Sequence, residues 1–171
     1  MHIDDDHMFH GAALIQIAEH EQFTAINSLK IQGAVVPVAY RINDDIAVYL
    51  KYASKPSGNQ YREYPFTFKR DHLKELESIF KSNPKLFIGL VCVKDRCICC
   101  VSYNQLAELI ERRKKSKGSD EDQYVILVTA PKGKAFRVYV NAANKKNRLL
   151  GKALIVARNT FPNAIFNTTA S

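Results

Sequence analysis

Four groups of side chains have types and spacing that could do chemistry. The run Asp44-Asp45-Ile46-Ala47-Val48-Tyr49-Leu50-Lys51 sets two acids at the entry of a β-rich segment and a lysine further along it. Upstream, Glu19 adds an acid near the end of a helical stretch. A second group, His2, Asp4, Asp5, Asp6, His7, His10, Glu19 and His20, has the donor types that ligate zinc or another divalent metal. On a helix His7 and His10 share a face, as do Asp6 and His10. It matches no strict ligand motif, and helix capping with solvated imidazoles is the simpler reading. The third group is Cys92, Cys97, Cys99 and Cys100. Along a strand Cys97 and Cys99 point one way and Cys100 the other, so four thiolates do not converge on one tetrahedral metal. Buried, reduced cysteines are expected there.

The fourth group is basic: Arg112, Arg113, Lys114, Lys115 and Lys117, then Lys132, Lys134, Arg137, Lys145, Lys146 and Arg148. Phosphate contacts require only positive charge and hydrogen-bond donors, so such a set can grip a nucleic-acid backbone without reading its sequence. The charge distribution points the same way. Residues 1–50 hold two basic side chains, Lys30 and Arg41, against seven acids, a net of −5. With +8 for the whole chain, the remainder carries +13. Such asymmetry favours polyanionic partners, and an evenly solvated lysine-rich surface is the plain alternative.

The acid-then-lysine strand, with Glu19 on the preceding helix, resembles the PD-(D/E)XK superfamily of restriction-endonuclease-like nucleases over roughly residues 5–115. Those proteins place an acid, then an acid-x-lysine, on neighbouring core strands, often with a further acid on the first helix. Where the family has acid-x-lysine, this chain has Tyr49-Leu50-Lys51. The resemblance implies Asp45, Lys51 and Glu19 as catalytic residues, with Asp45 as a ligand for Mg2+ or Mn2+. It also implies that the metal activates water and stabilises charge at phosphate. Tyr49 in place of a carboxylate implies a degenerate member, unless another acid such as Glu63 substitutes in space.

A chain of 171 residues suits one domain spanning 1–171, and 46% hydrophobic content suits a globular core. It contains no apolar run of membrane-spanning length. The start Met1-His2-Ile3-Asp4 lacks a secretory pattern, so a cytoplasmic protein with no membrane partner is expected. Walker A, G-x-G-x-x-G and G-x-S-x-G motifs are absent, and the seven glycines leave little room for a phosphate-cradling loop, which argues against nucleotide-dependent chemistry.

The elements that must position these residues follow from periodicity. Residues 5–21 read as a helix capped by Asp5 or Asp6, and Phe23–Lys30 as a further helical piece. Val35–Ile42 and Ile46–Tyr52 read as a hairpin turning at Asn43-Asp44-Asp45. Tyr64–Phe68 is a short aromatic strand and Asp71–Phe80 a helix. Leu86–Val93 reads as a strand buried on both faces, returning as Arg96–Val101. Ser102-Tyr103-Asn104-Gln105 matches a capping box for a helix ending in basic residues. Tyr124–Thr129, Ala135–Val140 and Ala153–Ala157 are the last strands. The fold expected is α/β or α+β, with a central mixed sheet of five or more strands flanked by about three helices. The expected function is a nucleic-acid-associated protein with a nuclease-like fold, DNA before RNA, either a metal-dependent nuclease or a degenerate relative. The alternative is a non-enzymatic interaction module, in a larger complex or a homodimer, whose basic face meets a protein partner.

Overall fold

The computed structural model describes residues 1–57, 62–143 and 149–167. The elements run α1 (Asp5–Ala18), β1 (Ile26–Ile31), β2 (Ala34–Ile42), β3 (Ile46–Ala53), β4 (Glu63–Lys69), α2 (Arg70–Ser82) and β5 (Lys85–Cys92). They continue β6 (Cys97–Ser102), α3 (Tyr103–Lys117), β7 (Gln123–Thr129), β8 (Phe136–Tyr139), β9 (Leu154–Val156) and α4 (Asn163–Phe166). The fold is α+β: a mixed five-stranded sheet, ordered β1-β2-β3-β5-β6, and a second, four-stranded sheet, ordered β4-β7-β8-β9. Among the described residues only β3 and β5 pair in parallel, and every other strand pairing is antiparallel.

Local chemistry explains most of these elements. Asp4 caps α1 rather than Asp5 or Asp6: its carboxylate accepts from the His7 backbone N–H at 2.9 Å, and His7 Nδ1 accepts from the Asp4 backbone N–H at 3.2 Å. The helix ends at Ala18, and Phe23–Lys30 is not helical; residues 26–31 form β1 instead. Asn43 is the reason. Its side-chain oxygen accepts from the Thr24 and Ala25 backbone N–H groups and its amide donates to the Gln22 carbonyl. That clamp extends the chain and delivers Ile26 to Ile42 on β2. Gln32 and Gly33 both adopt positive φ in the two-residue turn between β1 and β2, as a tight hairpin of this twist requires. Pro37, which cannot donate to a ladder, falls where the β1–β2 register breaks.

The five-stranded sheet has a core on each face. On one, Ala13 and Ile17 of α1 pack with Val48, Leu50, Ile98 and Cys100, closed by Phe161 and Ile165. On the other, Tyr49, Ile88, Leu90 and Cys99 meet α2 and α3 through Leu76, Ile79, Leu106 and Leu109. The second sheet completes that larger core with Tyr64, Phe66, Phe68, Ile126, Val128 and Phe136. Alternation along β3 therefore sends its odd residues, Lys51 among them, toward the second sheet and its even residues toward α1.

Candidate functional site

The acids and the lysine implied by the nuclease resemblance stand apart. Asp45 lies in the turn before β3, exposed, with its carboxylate 2.7 Å from Lys85 Nζ. Lys51 is on β3, roughly 20 Å further along at about 3.3 Å per residue. Glu19 follows the last turn of α1, which covers the opposite face of the sheet from Lys51. Tyr49 is paired with Ala39 on β2 and with Ile88 on β5, so neither neighbouring strand offers a carboxylate there. Glu63 accepts a hydrogen bond from the Tyr139 hydroxyl in the second sheet. Among the described residues no three His, Cys, Asp or Glu side chains converge as a metal site. Asp45 and its proposed companions therefore do not fit Mg2+ or Mn2+.

What surrounds Lys51 is a different set. Its ammonium lies 3.4 Å from His72 Nδ1 and 5.0 Å from the centre of the Phe68 ring. His72 Nδ1 also accepts from the Lys69 backbone N–H at 3.2 Å, so both contacts direct donors to the same nitrogen. Chain order places the groups: β4 runs straight into α2, which brings Phe68, His72 and Glu75 over β3. Glu75 is near enough to the Tyr49 hydroxyl for its charge to act on it. Burial pushes the Lys51 pKa below its ordinary value, Lys69 adds to this, and Glu75 opposes it. Burial and then Lys51 lower His72 in the same direction. Burial, with Glu75, raises Tyr49. The arrangement is a half-buried cation held against an imidazole and an aromatic ring, within reach of a carboxylate's charge. Only Lys51 is legible as a candidate in the sequence; the His72–Glu75 spacing on one face of a predicted helix is the available signal for the others.

The metal-type residues at the N-terminus are dispersed as well. His7 is used in the α1 cap, His10 is buried edge-on to Tyr52, and His20 stacks on Phe166 at 4.2 Å. The four cysteines are free thiols, with Cys92, Cys99 and Cys100 buried.

The basic residues divide into two populations. Those of α3 are largely neutralised. Arg112 bonds Glu108 and the Lys152 carbonyl. Arg113 clasps both oxygens of Glu121, at 2.8 and 2.9 Å, and the Asn141 carbonyl. Lys114 lies 3.8 Å from Asp120, and Lys117 3.2 Å from Glu121. Lys115 is exposed. Lys145, Lys146 and Arg148 lie outside the described residues.

The second population sits where four chain segments meet. The Tyr64 hydroxyl on β4 bonds Asp95 in the β5–β6 turn, and Ser57 bridges to Glu63 at the start of β4. Arg158, after β9, bonds the Pro131 and Lys134 carbonyls of the β7–β8 turn and reaches Cys97 at the head of β6. These contacts gather Lys55, Arg62, Lys94, Arg96, Lys132 and Lys134 at one end of the two sheets, all exposed. None of the six is ion-paired among the described residues. The two acids there, Glu63 and Asp95, are each occupied by a tyrosine hydroxyl.

No helix among the described residues is long and apolar enough to cross a membrane. Compared with known proteins, the chain matches no family model, no curated protein and no solved structure.

Proposed function

We propose that this chain is a nucleic-acid-associated protein that holds the phosphate backbone of DNA with the loop-bearing end of its two sheets, and that it binds without hydrolysing. The observation that carries this is the gathering there of six exposed basic side chains with no ion-pair partner among the described residues. Unpaired cations on neighbouring turns suit a polyanion, because each phosphate they neutralise releases a condensed counterion. Dispersal of Asp45, Lys51 and Glu19 supports binding over cleavage, since in-line attack on a phosphodiester needs its charge-stabilising groups together.

A second reading, an interaction module for a protein partner, draws on a different feature. A cleft of about 450 Å3 between α2 and α3 has Leu73, Leu106 and Ile110 along it and charges of both signs at its rim.

Binding to a fluorescent duplex, followed by anisotropy across a salt series, tests the first reading. The affinity is expected to fall steeply with salt. Replacing Lys94, Lys132 and Lys134 with glutamate should weaken it by about tenfold or more and flatten the slope by about one unit for each phosphate no longer held. Lys114→Glu should matter less, because that lysine already faces Asp120. No binding at low salt, or a triple variant that binds like the wild type, overturns the proposal. Cleavage of plasmid DNA with magnesium or manganese that disappears in Asp45→Asn and Lys51→Ala would return the nuclease reading.

A further inference from the structure

The β5–β6 hairpin sets Cys92 directly opposite Cys97, with both side chains toward the larger core. Cys92 is buried, while Cys97 is partly exposed near the hairpin turn. Directly opposed residues of an antiparallel pair have Cα atoms about 4.5–5.5 Å apart, inside the range of about 4.4–6.8 Å that a disulfide spans. A cation attends the outer thiol: Arg158 lies 3.9 Å from Cys97 Sγ. That guanidinium is anchored, bonding the Pro131 carbonyl at 2.6 Å and lying 5.3 Å from the centre of the Phe136 ring. The neighbouring Cys92 thiol and the charge of Arg158 outweigh burial and lower the Cys97 pKa. Cys97 beside it, with burial, raises Cys92, whose thiol donates to the Leu90 carbonyl at 3.9 Å, so the inner thiol keeps its proton. Burial raises Cys99 and holds Cys100 at about 12.

We propose that Cys97 and Cys92 form a dithiol oxidised by hydroperoxides, with Cys97 as the nucleophile and Cys92 as the resolving thiol. The Cys97 thiolate attacks one peroxide oxygen and the O–O bond breaks. Cys97 becomes a sulfenic acid, and the other oxygen leaves as hydroxide or alkoxide and takes up a proton. The Cys92 sulfur then attacks the Cys97 sulfur. An S–S bond forms, the S–O bond breaks, and the departing hydroxide combines with the Cys92 proton as water. Two electrons pass from the thiol pair to the peroxide, and each cysteine ends as half of a disulfide. Opposed Cβ atoms stand about 4.5–5.5 Å apart, whereas a disulfide holds them at about 3.5–4.5 Å. Closure therefore strains the hairpin head, and a thiol reductant reopens the bond readily. The dithiol is independent of the nucleic-acid reading, because it needs only the hairpin and Arg158.

The test treats the full chain with hydrogen peroxide, blocks remaining thiols by alkylation and maps peptides by mass spectrometry. A Cys92–Cys97 link that reduction removes is expected, with Cys99 and Cys100 untouched. Cys92→Ser should leave a sulfenic acid on Cys97 that dimedone traps. Arg158→Ala should slow Cys97 oxidation by about three- to tenfold. The wild-type comparison stands even if a variant folds poorly. Cys97 oxidising no faster than Cys99 and Cys100, or passing to sulfinic acid without the link, overturns the proposal.

Discussion

Glu121 shows how a single side chain fixes an element end. Its carboxylate accepts from Nε and Nη2 of Arg113, and Lys117 adds a third donor. The Arg113 hydrogen bonds, helped by Lys117, hold its pKa at about 2, below the ordinary 4.5. A lowered carboxylate contributes stability that is complete above the unfolded value and drains away as pH falls through the folded one. Wild-type stability should therefore decline between pH 4.5 and about 2 in part through this group. Glu121→Gln should cost about 1–3 kcal/mol at neutral pH and much less near pH 2, read from urea denaturation at both. Convergence of this kind is hidden in the sequence. Arg113 reads only as a member of a basic tract, because the turn at Gly118 that folds it onto Glu121 is a feature of the backbone. The same holds for Lys51. Its own strand is legible, but its neighbours Phe68, His72 and Glu75 arrive from β4 and α2, and no local pattern announces a contact across that distance.

At the scale of elements, the legible features are those with a local cause. Ser102 and Gln105 exchange the two bonds of a capping box at 3.2 and 3.0 Å, as their spacing predicts for α3. The unbroken apolar run of β5 is buried on both faces, with Ile88 and Leu90 turned to one core and Val91 to the other. Residues 23–30 mislead because Asn43, the clamp that extends them, lies on the far side of a strand. The second sheet is invisible in the sequence for a related reason: Tyr64–Phe68 reads as a strand, but nothing near it names β7 as its partner. Packing within β5 yields a sharp expectation. A Cβ on Gly89 would meet Leu50 Cδ2 at 2.8 Å, on the neighbouring strand. Gly89→Ala should cost about 1–3 kcal/mol in a urea titration, moderated by movement of the Leu50 side chain.

At the scale of the whole molecule, the two sheets are interlocked by chain order. Strand β4 founds the second sheet yet lies inside the crossover that carries the chain from β3 to its parallel partner β5. Both sheets also line one hydrophobic cluster. Neither can come apart without opening the other's core, so unfolding should be a single transition. The chain has eight tyrosines and no tryptophan, and buried Tyr49, Tyr64 and Tyr124 report from both sheets. Tyrosine fluorescence and far-ultraviolet circular dichroism should therefore give coincident urea curves, and separated midpoints would contradict the interlock.

That interlock has a consequence during synthesis. As the chain leaves the ribosome, β3 can pair with β2 at once, but its other side waits until β4 and α2 have emerged and β5 follows. For that interval a strand with no exposed residue in the finished sheet is an open, apolar edge, the state in which strands recruit one another between molecules. Its one charged residue is Lys51. A lysine at that position costs desolvation in the finished protein, where burial lowers its pKa. In the nascent chain the same ammonium stands in the exposed run Ile46–Ala53 as a gatekeeper against intermolecular pairing.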